Sequence, residues 1–129
     1  MTLRPLFAAA AAAILLSPPA FAQDAGVEHA DGATPVRLVA FDGEQEFLKT
    51  SKRLRIWRAA VGYTLSVDEA GKVTGCKLVN EFRKNYVNQM LCEVLVEHHT
   101  FEPAHDASGA AVPGTYTARL VYEDLRAKT

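Results

Sequence analysis

Three histidines and three acids crowd one short stretch: His98, His99 and His105 stand among Glu97, Glu102 and Asp106. These are zinc-ligand types, and a catalytic zinc site commonly takes three of them while leaving a fourth position open to water. The spacing argues against that chemistry. His98 and His99 are adjacent, so on a helix their side chains diverge by about 100°, and no His pair at i, i+4 is present. His105 lies beyond Pro103, in a loop. No Ser-His-Asp order and no phosphate-binding loop can be assembled from the chain. The sequence therefore predicts no catalytic residue, no metal, no cofactor and no enzyme. The histidines read instead as the end of a helix, where a positive or hydrogen-bonding side chain suits the exposed carbonyls. By helical period His98 falls on the apolar stripe and His99 points away from it.

The chain has two cysteines, Cys76 and Cys92, and no CxxC pair for thiol–disulfide exchange. Their chemistry depends on the compartment, and the N-terminus bears on that. Arg4, the apolar run LFAAAAAAILL (6–16), the helix-breaking Ser17-Pro18-Pro19 and the small-x-small Ala20-Phe21-Ala22 have the order of a cleavable signal peptide over 1–22. The alternative, an uncleaved anchor, needs about 20 apolar residues, and this run has 11. Export to the periplasm is expected, and there a Cys76–Cys92 disulfide is the default, with a free-thiol nucleophile as the alternative.

A third group is cationic. Lys49, Lys52, Arg53, Arg55 and Arg58 run without an intervening acid, and Trp57 is interleaved. One reading is contact with an anionic envelope component: peptidoglycan carboxylates, lipid phosphate or an acidic partner. The other is a solvated helix end leading into a strand, with Trp57 in the core. The chain as a whole has a formal net charge of −1, which gives no reason to expect nucleic acid as a partner.

These residues must be positioned by elements that the patterning outlines. Residues 23–42 read as a flexible lead-in. Asp42 and Gln45 have capping-box spacing, which predicts a short helix from about 43 that covers Phe47 and Leu48. From Trp57 to Val67 the apolar period is two, through Ala59, Val61, Tyr63 and Leu65, which predicts a half-buried strand. A loop at Asp68-Glu69-Ala70-Gly71 returns the chain into a second strand over 72–79, with Thr74, Cys76 and Leu78 on one face. Asn85 can cap a second helix reaching about His99, with Val87, Met90, Leu91, Val94, Leu95 and His98 on its apolar stripe and Cys92 at the border. The last strand, over 115–122, carries Tyr116, Ala118, Leu120 and Tyr122 on one face. The order helix, hairpin, helix, strand defines an α+β domain over 43–125.

The segments GYTLSVDEAGKVTGCKLV (62–79), FEPAHDASG (101–109) and GTYTARLVY (114–122), with a helix carrying Cys92 between the first two, resemble the TonB C-terminal domain family. The resemblance is strongest to small variants that pair a cysteine on the second strand with one on the following helix. It implies a three-stranded antiparallel sheet with two helices on one face, and an activity of binding rather than catalysis. In that family the domain grips a segment of an outer-membrane receptor, partly by adding it as a strand to an exposed sheet edge. The receiving edge implied here is the last strand, with Thr115, Tyr116, Thr117, Arg119 and Val121 as partner-binding residues. The alternative is that the lead-in or the C-terminal tail covers that edge. The family's transducers carry an uncleaved anchor and a long proline-rich span, so this chain is not expected to transduce energy alone. A cell-envelope or peptidoglycan-binding module on the same fold, using the surface of Lys52, Arg53, Arg55 and Arg58, is the second functional expectation.

Overall fold

Val61, Tyr63, Leu65 and Val67 alternate with Gly62, Thr64 and Ser66 along β2 (Ala60–Val67), and the first four are all buried. A computed structural model of the chain describes residues 32–128; the signal peptide read over 1–22 and the first part of the lead-in lie outside the described residues. Ten elements follow in order: β1 (Arg37–Phe41), α1 (Glu44–Arg53), β2, β3 (Val73–Leu78), α2 (Asn85–His98), β4 (His99–Glu102), β5 (Ala104–His105), β6 (Ala111–Val112), β7 (Gly114–Val121) and α3 (Tyr122–Ala127). The main sheet is three-stranded and antiparallel in the order β3-β2-β7. The expected α+β class and the expected sheet are both present. A third helix and two further two-stranded ribbons, β1-β4 and β5-β6, add to the expected plan.

The core lies on the β2 face that bears Tyr63 and Leu65. Phe47 and Leu48 of α1, Leu91, Val94 and Leu95 of α2, Leu78 of β3, Phe101 of β4, and Tyr122 and Leu125 of α3 join it in one cluster. The Tyr122 hydroxyl donates to Ser51 Oγ at 2.8 Å inside this cluster, tying α3 to α1. Two glycines permit close approach. A Cβ at Gly43 would sit 2.5 Å from His98 Cβ, so the start of α1 lies directly on the end of α2. At Gly71, φ is +82° and a Cβ would meet the Phe101 carbonyl oxygen at 2.5 Å, which leaves glycine as the residue that fits the turn.

Several local expectations are corrected. The lead-in read over 23–42 ends in a strand: β1 pairs antiparallel with β4, and an Arg37–Glu102 ion pair joins the two. The capping box does not form; Gly43 is the N-cap without a side-chain bond, and the Asp42 carboxylate meets His98 instead at 3.0 Å. Asn85 is the first residue of α2 and not its cap. The entry to that helix is fixed by Asn88, whose side chain accepts from the Phe82 N–H at 2.7 Å and donates to the Phe82 carbonyl at 3.1 Å. A β-bulge at Thr74 shifts the β2-β3 register between Ser66 and Val67, so Val73 rather than Thr74 joins the buried side. β2 starts at Ala60 and leaves Trp57 before it, 93% exposed, which overturns the core placement of that indole.

Why Trp57 is outside follows from how α1 stops. Ile56 N–H donates to the Ser51 carbonyl and Arg55 N–H to the Lys52 carbonyl, both at 3.1 Å, and Arg55 has φ +57°. This is a Schellman closure. Its left-handed position usually holds glycine, because any side chain there costs roughly 1–2 kcal/mol. The turn reverses the chain before the strand begins and sends Trp57 into solvent. Arg55→Gly is expected to raise the unfolding free energy by about 1 kcal/mol, measured by urea denaturation; a variant no more stable than the parent would show that the arginine costs nothing there.

Candidate functional site

The three histidines of the 98–105 stretch go to three different environments. His98 ends α2, half-exposed, with Nδ1 3.0 Å from Asp42 Oδ1. His99 is the buried one, at 7% exposure, opposite to the helical-period expectation. The helix ends at His98, and His99 adopts extended backbone (φ −95°, ψ 137°) as the first residue of β4, so the side chain turns inward. His105 lies in β5, where its N–H and C=O pair with Thr34. Among the described residues no group of three His, Cys, Asp or Glu side chains is arranged to share a metal ion.

His99 has a defined chemistry. Its Nδ1 lies 2.6 Å from the Leu95 carbonyl, which can only accept, so Nδ1 carries the proton. Nε2 is then the acceptor, and the Tyr63 hydroxyl donates to it at 2.8 Å. Phe41 stacks on the imidazole at 4.2 Å between centroids, and Phe101 stacks at 5.5 Å. Burial holds the imidazole below its ordinary range, against the opposing pull of the Leu95 carbonyl; neighbouring His98 lowers it further. Burial, with Tyr116 nearby, pushes the Tyr63 phenol up, so it stays a donor. These contacts fix the tautomer and hold the ring in the interior.

The edge of the main sheet is more open. β7 pairs with β2 along its whole length, from Gly114 opposite Val67 to Val121 opposite Ala60. Gly62 accepts from the Val79 N–H at 2.9 Å, so its backbone faces β3 and its β7 partner, Arg119, faces away from β2. Tyr122 N–H donates to the Ala59 carbonyl at 3.0 Å and sets the same parity from the other end. The N–H and C=O groups of Thr115, Thr117 and Arg119 therefore point outward in the plane of the sheet, while Val121 caps the start of α3. Among the described residues no strand pairs with them. α3 follows directly after Val121, and Val36 packs against Gly114, so the open stretch is bounded at both ends.

The side chains divide by face. Thr115, Thr117 and Arg119 are exposed on the outer face, where Thr117 Oγ1 meets Thr64 Oγ1 at 2.9 Å. Tyr116, Ala118 and Leu120 are half-buried toward the core. The ring of Tyr116 lies 4.9 Å from that of Phe101 and 6.5 Å from that of Tyr63. Of the five residues expected to bind a partner, Tyr116 thus turns its ring inward, and Val121 is half-buried at the start of α3.

The turns at the two D-x-x-G sequences are built alike. Asp68 Oδ1 accepts from the N–H groups of Ala70 and Lys72, and Asp106 Oδ1 accepts from those of Ser108 and Ala110. Gly71 and Gly109 take φ +82° and +86°. The Ser108 hydroxyl, followed by the Ala110 N–H, holds the Asp106 carboxyl below the usual carboxylate range. The first turn joins β2 to β3; the second joins β5 to β6 and delivers the chain to β7.

Cys76 of β3 and Cys92 of α2 form a disulfide, with Cα atoms 5.8 Å apart. Of the cationic run, Arg58 is committed to structure: its guanidinium donates to the carbonyls of Asn80 and Glu81 and lies 3.7 Å over the Phe82 ring. Lys49, Lys52, Arg53 and Arg55 are exposed. Among the described residues no helix is long and apolar enough to cross a membrane. In comparisons with known proteins, the chain matches no protein-family model, no curated protein and no solved structure. Sequence reasoning missed β1 and the buried role of His99. The signal for β1 was the run Leu38-Val39-Ala40-Phe41, too short to distinguish from a loop without its distant partner.

Proposed function

We propose that the protein is a periplasmic binding module of the TonB C-terminal type that takes up an extended protein or peptide segment by strand addition along β7. The observation that supports this most is the outer edge of β7: it offers outward N–H and C=O groups at Thr115, Thr117 and Arg119, and no strand pairs with it among the described residues. Backbone pairing would supply affinity, while Thr117, Arg119 and the half-buried Tyr116–Leu120 row would read alternate side chains of the incoming strand. A receptor segment at the outer membrane is the partner that the sequence resemblance suggests. The tested probe is a synthetic peptide carrying the TonB-interacting segment of an outer-membrane receptor.

Binding should broaden or shift the amide signals of residues 115–121. Thr117→Pro removes an outward N–H and leaves the β2 ladder intact, as proline is tolerated on an edge. It is expected to weaken peptide binding at least about tenfold with the fold retained. Ala118→Pro removes a ladder N–H and should instead destabilise the domain. If the peptide leaves 115–121 unperturbed, or if Thr117→Pro binds as the parent does, edge pairing is not the mechanism.

A further inference from the structure

We propose that the end of the domain formed by the α1–β2 turn is a docking surface for an anionic phospholipid bilayer, with the Trp57 indole seated at the level of the lipid carbonyls and Lys52, Arg53 and Arg55 on the phosphates. The surface is independent of the β7 edge, and four observations converge on it. Trp57 is the only tryptophan of the chain and is 93% exposed. Lys52, Arg55, Ile56 and Arg126 line a shallow depression of about 530 Å³ with it. Lys49, Lys52, Arg53 and Arg55 have no carboxylate partner among the described residues. Finally, Arg55 occupies the left-handed position of a helix stop, where glycine would be the unstrained choice. A cation held at such a position points to a use outside the fold.

The chemistry selects the occupant. A protein partner that buries a tryptophan normally surrounds it with apolar contacts in a well-packed pocket; here its close neighbours are mainly cations. A carbohydrate platform would need the ring braced flat, and Trp57, 93% exposed, has no aromatic ring stacked on it among the described residues. A bilayer interface needs neither. It accepts an unbraced indole at headgroup depth and places phosphates within reach of flexible cationic side chains that can extend along the surface. The local positive charge stands out from a chain whose net charge is −1, so attraction to the surface is local and salt-sensitive.

The single tryptophan reports on its own surroundings. Purified protein is mixed with vesicles of phosphatidylglycerol and phosphatidylcholine, with phosphatidylcholine alone, and with soluble peptidoglycan fragments. Anionic vesicles should shift Trp57 emission to shorter wavelength and expose it to quenching by brominated acyl chains. Zwitterionic vesicles should do so weakly, and soluble fragments should not. Arg55→Gly and Lys52→Gln are each expected to lower the partition coefficient about fivefold, read by co-sedimentation as well as emission. Arg55→Gly is the decisive variant, because it is not expected to weaken the fold. Thr117→Pro should leave vesicle binding unchanged, which separates this surface from the β7 edge. Unshifted emission at saturating anionic lipid, an Arg55→Gly partition equal to the parent's, or a shift produced by the peptidoglycan fragments and not by vesicles would each overturn the proposal.

Discussion

Replacing His99 by alanine should reduce the unfolding free energy by about 4 kcal/mol, the largest effect of any single substitution considered for this chain. Two terms contribute. Removing a buried ring stacked between Phe41 and Phe101 leaves a cavity, and large aromatic-to-alanine changes in cores cost roughly 3–5 kcal/mol. The Tyr63 hydroxyl and the Leu95 carbonyl also lose their partner, and each buried unsatisfied group costs roughly 1–3 kcal/mol unless water enters. Since a domain of this size commonly has only about 5–15 kcal/mol in total, the variant should be near the limit of folding. Urea titration followed by tyrosine and tryptophan signals measures it. A loss below about 1 kcal/mol would mean that the network contributes little.

The same residue should make stability pH-dependent, with a defined sign. Burial lowers the folded pKa of His99 beneath its unfolded value, so the unfolded chain takes up the proton first as pH falls. The contribution is fully present above the ordinary histidine value of about 6.5 and is lost as pH falls through the lowered folded value. Tyr63 and Leu95 face the ring from β2 and α2, Phe41 and Phe101 from the ribbon, Tyr116 from β7, and His98 is its neighbour in the chain, so among the described residues no carboxylate stands against the imidazole to stabilise its charged form. The difference between parent and His99→Gln across this range isolates the His99 contribution from that of the other histidines.

Loss of the Cys76–Cys92 bond is the second large effect. The bond closes a short loop, at a sequence separation of 16, and a loop of that size stabilises by about 3 kcal/mol in the chain-entropy picture. Reduction, or the Cys76→Ser/Cys92→Ser pair, should lower the denaturation midpoint accordingly. Alkylation of the unreduced protein should label no thiol, because the chain's two cysteines are paired. Two alkylatable thiols in protein from an oxidising compartment, or an unchanged midpoint after reduction, would contradict the assignment.

What the sequence made legible follows physical range. The alternation Val61, Tyr63, Leu65, Val67 and the stripe Val87, Leu91, Val94, Leu95 record local burial, and both appear where the period put them. The Asp68–Gly71 turn is legible for the same reason, since its bonds run within five residues. Placing Trp57 in the core extends a true period three residues too far, up to a helix stop whose left-handed residue is an arginine and so carries no glycine signal. His99 was assigned by a helical angle that no longer applies once the backbone becomes extended. β1 depends on β4, some 60 residues away, and no window of local sequence contains that pairing. The edge strand itself was legible, but which of its backbone groups face outward required the register with β2.

That register also governs the order in which the domain can form. The hairpin β2-β3 and helix α2 are contiguous in sequence and can be stapled by their disulfide before the rest of the chain is engaged. Yet among the described residues β2 obtains its second neighbour from Gly114–Val121, and β1 its strand partner from His99–Glu102. Tyr63 and Leu65 thus remain without part of their cover until the last segment arrives. Such late, long-range closure is slow. A nascent chain would keep this core incomplete until its last strand, β7, is delivered.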